Sequence, residues 1–283
     1  MMVRNLLPPL HIHPILILFI GISLLTGTFM EMTIIFAIVF VHEMGHYLAA
    51  KFFRWRIKRV MLWVFGGVME TDEHGNRPVK EELIVTLAGP LQHIPIYAAL
   101  GVLLSVGAIS ESLFQTALWY NTVILLFNLL PIWPLDGGKI LFHILSVILP
   151  FRKALDAIFL LSLSLCASLA FGYIFFYPFT LTFTAIMIFL FLENRLEWKR
   201  RFYVFLRFLM KRYRGNGTVK KIEPLYLTGN STLMDVFSQF KRERRHLIII
   251  RDHERSEKRI DETDCLHAYF HEKQYAKRMQ DLF

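Results

Sequence analysis

Apolar residues run through the first two-thirds of the chain in blocks too long for the elements of a soluble core. Hydropathy predicts six membrane spans, near residues 14–30, 32–50, 83–108, 113–130, 155–177 and 179–192. A further apolar stretch at 140–149 is too short to cross alone and is predicted to continue the fourth span after a break. The pattern changes after residue 194. There Lys199, Arg200, Arg201, Arg207, Lys211 and Arg212 mix with Trp198, Phe202, Phe205 and Leu209. That mixture predicts an amphipathic helix lying on the cytoplasmic bilayer surface. Beyond Gly215 and Gly217 the sequence reads as a small α/β unit. Thr232 with Asp235 makes a capping box ahead of a helix, residues 246–250 read as a buried strand, and Thr263 or Asp264 can cap a last helix. At about 66 residues this unit is small to stand alone, so pairing with a second copy through it is expected. The fold class is therefore an α-helical polytopic membrane protein with a small C-terminal α/β domain. Its parts are 1–193 (membrane domain), 194–217 (basic interfacial helix and linker) and 218–283 (tail domain).

Composition agrees. Of 283 residues 54% are apolar, 26 are Phe, and the mean hydropathy is +0.42, more than a soluble core of this length needs. With two cysteines, Cys166 and Cys265, there is neither a disulfide framework nor a cysteine zinc site. No A-x-A-like cleavage site follows the first apolar block, so it is read as a retained span. The net charge of +9 is one-sided. Arg4, Lys51, Arg54, Arg56, Lys58, Arg59, Arg152 and Lys153 fall on the side of the basic tail, whereas the opposite loops offer Glu31 and Glu111. The positive-inside rule then places both termini in the cytoplasm. The basic charge faces anionic lipid, and a nucleic-acid role is not expected.

Within the second span lies His42-Glu43-Met44-Gly45-His46. An ionised side chain at mid-bilayer costs about 2.5–3.5 kcal/mol on insertion scales, so such residues need partners or a polar cavity. His42 and His46 sit one turn apart on one helical face, where two imidazoles can grip one Zn2+ ion. Glu43 is displaced by about 100° around the helix and can act as general base on zinc-activated water without ligating the ion. Gly45 leaves room for substrate or a neighbouring helix. A catalytic zinc site usually has three protein ligands, and the third must here be His, Asp or Glu at membrane depth.

Asp136 is the best candidate for that third ligand. It follows Asn128 and the helix breakers Pro131 and Pro134, and precedes Gly137 and Gly138. Irregular backbone at that depth is tolerated only where protein buries it or it lines a cavity. Asn128 can hydrogen-bond substrate backbone or an oxyanion. His93 and His143 are lone histidines within spans, read as hydrogen-bonded in the bundle rather than metal-bound. Glu70, Asp72, Glu73 and His74 are read as a solvated surface turn. The segment 61–71 has β-like residues around Gly66 and Gly67, and a hairpin there can pair with an unwound substrate strand. Asn128, Gly66, Gly67 and Pro134 are the candidate substrate-binding residues.

These motifs, HEMGH, the Gly66-Gly67 pair and N-x-x-P-x-x-P-L-D-G-G from Asn128, resemble the site-two protease family of intramembrane zinc metalloproteases. Within it, the order, spacing, six spans and basic tail resemble the sporulation proteases of endospore-forming bacteria. The resemblance implies zinc ligands His42, His46 and Asp136 with Glu43 as the catalytic residue. It further implies a sigma-factor precursor as membrane-tethered substrate, inhibitory membrane proteins as partners, and location in the mother-cell membrane around the forespore. It also implies a CBS-like tail domain, a module that often binds ATP or related nucleotides. The alternative is a CBS-regulated membrane transporter or channel whose intramembrane His, Glu and Asp line an ion path. Such a path needs polar residues spread along a route, often in duplicated broken helices, and no second copy is present.

Overall fold

The computed structural model describes residues 10–12, 14–63, 66–71, 77–176, 178, 180–215, 221–251 and 257–282. Arg4, the turn at 72–76 and residues 216–220 of the linker lie outside the described residues. The chain divides into two compact units, residues 1–140 with 181–186, and residues 141–180 with 187–283.

In the first unit, strand β1 (Leu10–Ile12) precedes helices α1 (Pro14–Thr26) and α2 (Phe29–Phe52). At 24 residues α2 is long enough to cross a hydrocarbon layer of about 30 Å. It buries a stripe of Ile38, His42, Glu43, Gly45, His46, Tyr47 and Ala50. Strands β2 (Ile57–Trp63) and β3 (Gly66–Thr71) form the predicted antiparallel hairpin, and β1 pairs parallel to β2. The order β1-β2-β3 leaves β3 at an edge of the sheet. Glu70 stands in β3 opposite Arg59 rather than in a surface turn. Ala50, Trp55 and Val85 make a small core with Phe53, Ile57 and Met69 packed on it.

Helix α3 (Val79–Leu91) is joined to α4 (His93–Ser105) at Gln92, and α5 (Glu111–Asn128) begins at the Ser110 cap. Gly45 of α2 and Gly89 of α3 let these two helices approach closely: a β-carbon on Gly45 would collide with the Ala88 carbonyl. Small residues at a crossing are how membrane helices gain dispersion contacts. After a non-helical segment at 129–135, α6 (Asp136–Ile148) starts at Asp136 itself.

The second unit contains the end of α6, helix α7 (Phe151–Phe176) and most of α8 (Leu181–Tyr213). The predicted sixth span and the predicted basic helix are one uninterrupted helix of 33 residues. Leu190, Phe205 and Leu209 are buried along it, while the ring of Phe208 stacks on Phe151 at 4.2 Å. Strand β4 (Lys221–Thr228), helix α9 (Leu233–Phe237) and strand β5 (Arg244–Arg251) make a crossover with β4 parallel to β5. Strand β6 (Glu257–Asp261) pairs antiparallel on the other side of β5, and α10 (Glu262–Phe270) and α11 (Met279–Leu282) follow. Thr232 and Asp235 form the expected capping box, and His246, Ile248, Ile249 and Ile250 of β5 are buried. Asp261, not Thr263 or Asp264, caps α10, because its carboxylate accepts from the Thr263 amide two residues on.

Among the described residues, three helical stretches are long and apolar enough to cross a membrane: Phe29–Phe52, Val79–Ser105 and Phe151–Phe176. They match the second, third and fifth predicted spans. Exposed Leu25, Ile174, Phe176 and Leu181 are the side chains lipid would cover. The protein is a mostly helical membrane protein.

Candidate metal centre

Helical spacing stacks His42 and His46 on one side of α2, and the break before α6 delivers Asp136 to the same place. His42 Nε2 and His46 Nε2 are 3.1 Å apart. Asp136 Oδ2 lies 3.1 Å from the first and 3.0 Å from the second. All three residues are buried, and Glu43, one position on from His42, is buried with them.

Hydrogen bonds on the far side of each ring select the tautomer that a neutral ring adopts. His46 Nδ1 is 2.8 Å from the Val85 carbonyl, which can only accept, so Nδ1 carries a proton and a neutral ring has its lone pair on Nε2. His93 Nδ1 is 2.7 Å from Asn121 Oδ1, and the Asn121 amide nitrogen donates back to the His93 carbonyl at 3.3 Å. His93 therefore donates through Nδ1 and accepts through Nε2. His42 Nδ1, 3.1 Å from that Nε2, must be the donor, and His42 Nε2 is left with its lone pair.

With both imidazoles neutral, three electron pairs converge within about 3 Å, an arrangement that a cation at the centre stabilises. The spacing suits zinc: tetrahedral ligands at 2.0–2.1 Å stand about 3.3 Å from one another. Lys139 Nζ, 3.3 Å from Asp136 Oδ1, engages the other carboxylate oxygen and leaves Oδ2 for the ion. Gly89 opens the space in front of the rings, since a β-carbon there would sit 2.8 Å from His42 Nε2 and closer still to His46 Nε2.

Comparison with known proteins gives the same chemistry. The sequence profile of peptidase family M50 matches residues 30–108 and 95–169. Stage IV sporulation protein FB of Bacillus subtilis is 41% identical over 279 residues, covering 98% of this chain and 97% of that protein. The chain belongs to peptidase family M50. A zinc metalloprotease of Methanocaldococcus jannaschii is 32% identical over 49% of this chain and 43% of its own length. The solved site-2 protease from Methanocaldococcus jannaschii superposes with a TM-score of 0.53 at 26% identity, covering 69% of this chain and 93% of that one. As an M50 member the protein is an intramembrane zinc metallopeptidase, and the transporter or channel alternative is not favoured.

The other sequence candidates lie outside this three-residue group. Asn128 ends α5, where its amide nitrogen donates to the Ile124 carbonyl at 3.0 Å; that nitrogen has a second hydrogen to offer. Pro134 stands in the non-helical segment just before Asp136. Gly66 and Gly67 open β3, opposite Trp63 and Leu62. His143 is buried on α6 and is not in the His42–His46–Asp136 group. Sequence reasoning passed over Gly89, Lys139 and Asn121 and ranked His93 low. For Gly89 a signal existed in the run Ala88-Gly89-Pro90 inside an apolar helix; for Asn121 there was none beyond a polar residue in a span.

Proposed function

We propose that this protein cuts a membrane-tethered precursor at a peptide bond presented to one zinc ion held by His42, His46 and Asp136. The observation that carries the reading is the convergence within about 3 Å of two imidazole nitrogens and one carboxylate oxygen, all buried, beside the buried Glu43. Bound zinc supplies Lewis acidity, acidifying water and polarising the scissile carbonyl. The Glu43 carboxylate takes the proton from the attacking water and returns it to the departing amine. Lys139 holds Asp136 from behind, and the second amide hydrogen of Asn128 can stabilise the developing oxyanion.

A helix hides its carbonyls in internal hydrogen bonds, so the substrate must unwind before it is cut. The edge position of β3, with Gly66 and Gly67 at its start, supports strand addition as the means of holding the unwound segment. Pro134, two residues before Asp136 in the non-helical segment, is a candidate contact for that strand. The precursor is, by the resemblance, that of a sporulation sigma factor, with inhibitory membrane proteins as further partners. The enzyme crosses the membrane six times with both termini cytoplasmic. Its parts are the membrane domain 1–193, the basic segment 194–217 on anionic lipid, and a CBS-like tail 218–283 that pairs with a second copy and takes ATP.

Co-expression with a membrane-tethered precursor tests the core of this. Glu43→Gln should abolish cleavage while the purified protein keeps one zinc per chain, and Asp136→Asn should lose both. Normal cleavage by Glu43→Gln, or unchanged zinc content in Asp136→Asn, would overturn the mechanism.

A further inference from the structure

The zinc reading leaves the buried His93 without a task. His93 is completely buried at the start of α4, and Asn121 is completely buried in the middle of α5. Both are polar side chains buried in mostly apolar helices, where an idle histidine would be costly. They form a chain with a single direction: the Asn121 amide grips the His93 backbone carbonyl and its oxygen accepts from His93 Nδ1, while His93 Nε2 accepts from His42 Nδ1.

From this chain we infer that His93, oriented by Asn121, is a positioning residue that sets the tautomer and ring angle of His42 and so raises its affinity for the metal. The inference rests on the zinc reading above. The physical reason is that imidazole has one proton when neutral. If His93 could flip to carry its proton on Nε2, it would face His42 Nδ1 with a donor. His42 would then have to move its own proton to Nε2, the atom aimed at the ion, and could no longer ligate. Asn121 prevents that flip, because its oxygen demands a donor from His93 Nδ1 and its nitrogen is already committed to a carbonyl. The arrangement also ties three helices together: α2 through His42, α4 through His93 and α5 through Asn121.

His46 achieves the same end more simply, with a backbone carbonyl that can only accept. The two ligands therefore differ in vulnerability. No side-chain substitution removes the Val85 carbonyl, whereas the support of His42 depends on two side chains. Partners beyond the ligands typically change metal affinity or activity by about 10- to 100-fold when removed.

The test is zinc affinity of the purified full-length protein in detergent, measured by competition with a chelating dye, with thermal unfolding recorded for each variant. His93→Leu, which keeps bulk and removes the acceptor, should weaken zinc binding by about 10- to 100-fold. His93→Gln can set an amide oxygen where Nε2 stands and should bind zinc close to wild type. Asn121→Leu should weaken binding as well, and the double variant should be no worse than the weaker single, since the two act as one unit. Wild-type affinity in His93→Leu or Asn121→Leu would overturn the inference. So would a folded His93→Gln protein that binds as poorly as His93→Leu. If His93→Leu fails to fold, the contrast of Asn121→Leu with His93→Gln still decides. Wild-type protein free of zinc would sink the metallopeptidase reading and this inference together; zinc-loaded wild type with unaltered variants would sink the inference alone.

Discussion

Replacing Gly89 by alanine adds one methyl group to α3 at the point where that helix faces both zinc-site imidazoles. The new carbon would stand 2.8 Å from His42 Nε2, against the 3.4 Å at which ordinary contact begins, and would overlap His46 Nε2 and Cε1 more severely. Either α3 retreats from α2 or the rings turn away. Retreat is resisted by Gly45, whose own position under Ala88 shows how closely the helices approach. The rings must then shift by roughly half an ångström or more, beyond the ±0.2 Å within which metal–ligand distances are set. Overpacking of this kind costs about 1–3 kcal/mol in stability. Misplacing catalytic groups by about 1 Å costs on the order of 100-fold in rate. Gly101→Ala is the matched control, because Gly101 lies in α4 with open space around its Cβ position; helix propensity there favours alanine by about 1 kcal/mol. Zinc content by elemental analysis and cleavage of a co-expressed precursor should therefore fall steeply for Gly89→Ala and stay at wild type for Gly101→Ala. A Gly89→Ala protein with one zinc and normal cleavage would refute the reasoning.

The C-terminal sheet β4–β5–β6 yields further predictions. Arg212 near the end of α8 donates to the Lys241 and Arg244 carbonyls and to both Glu262 oxygens, and the Glu262 carboxylate also accepts from the His246 amide. Arg212→Met leaves Glu262 buried without its cation and should destabilise the packing of α8 on this sheet by about 3–5 kcal/mol, read by thermal unfolding and faster proteolysis after residue 220. Burial works to raise the Glu262 carboxyl, but the His246 hydrogen bond and the Arg212 charge outweigh it and hold it below its ordinary 4.5. Burial likewise lowers His246 from its ordinary 6.5, with the Glu262 hydrogen bond opposing. Both groups take up protons more readily unfolded than folded. Tail stability should thus be full above pH 6.5 and decline as pH falls through that value and then through 4.5. A pH-independent melting profile between 4 and 7 (about the range where these groups titrate) would contradict this assignment.

Much of the centre was legible because its chemistry is local. His42, Glu43 and His46 share one turn, and Asp136 is announced by the prolines and glycines that break its helix. The capping box at Thr232 and the buried strand around Ile248 were readable for the same reason: their signals lie within a few residues. His93 was not legible in its role, since a lone histidine carries no periodicity and its partners are 51 and 28 residues away. The space in front of the imidazoles depends on α3 crossing α2, a tertiary fact encoded only as a run of small residues. The boundary expected between a sixth span and a basic helix is absent in α8, because neither Gly nor Pro interrupts the backbone from Leu181 to Tyr213. Hydropathy registers a change of environment there, not a change of backbone.

That unbroken α8 has a mechanical meaning. A module on a floppy tether can only raise the local concentration of whatever it carries, whereas one bolted to a rod passes on angle and torque. With Arg212 fastened to the Lys241 and Arg244 carbonyls and α8 helical without a break from Leu181, a twist applied to the β4–β5–β6 sheet is carried along the same shaft.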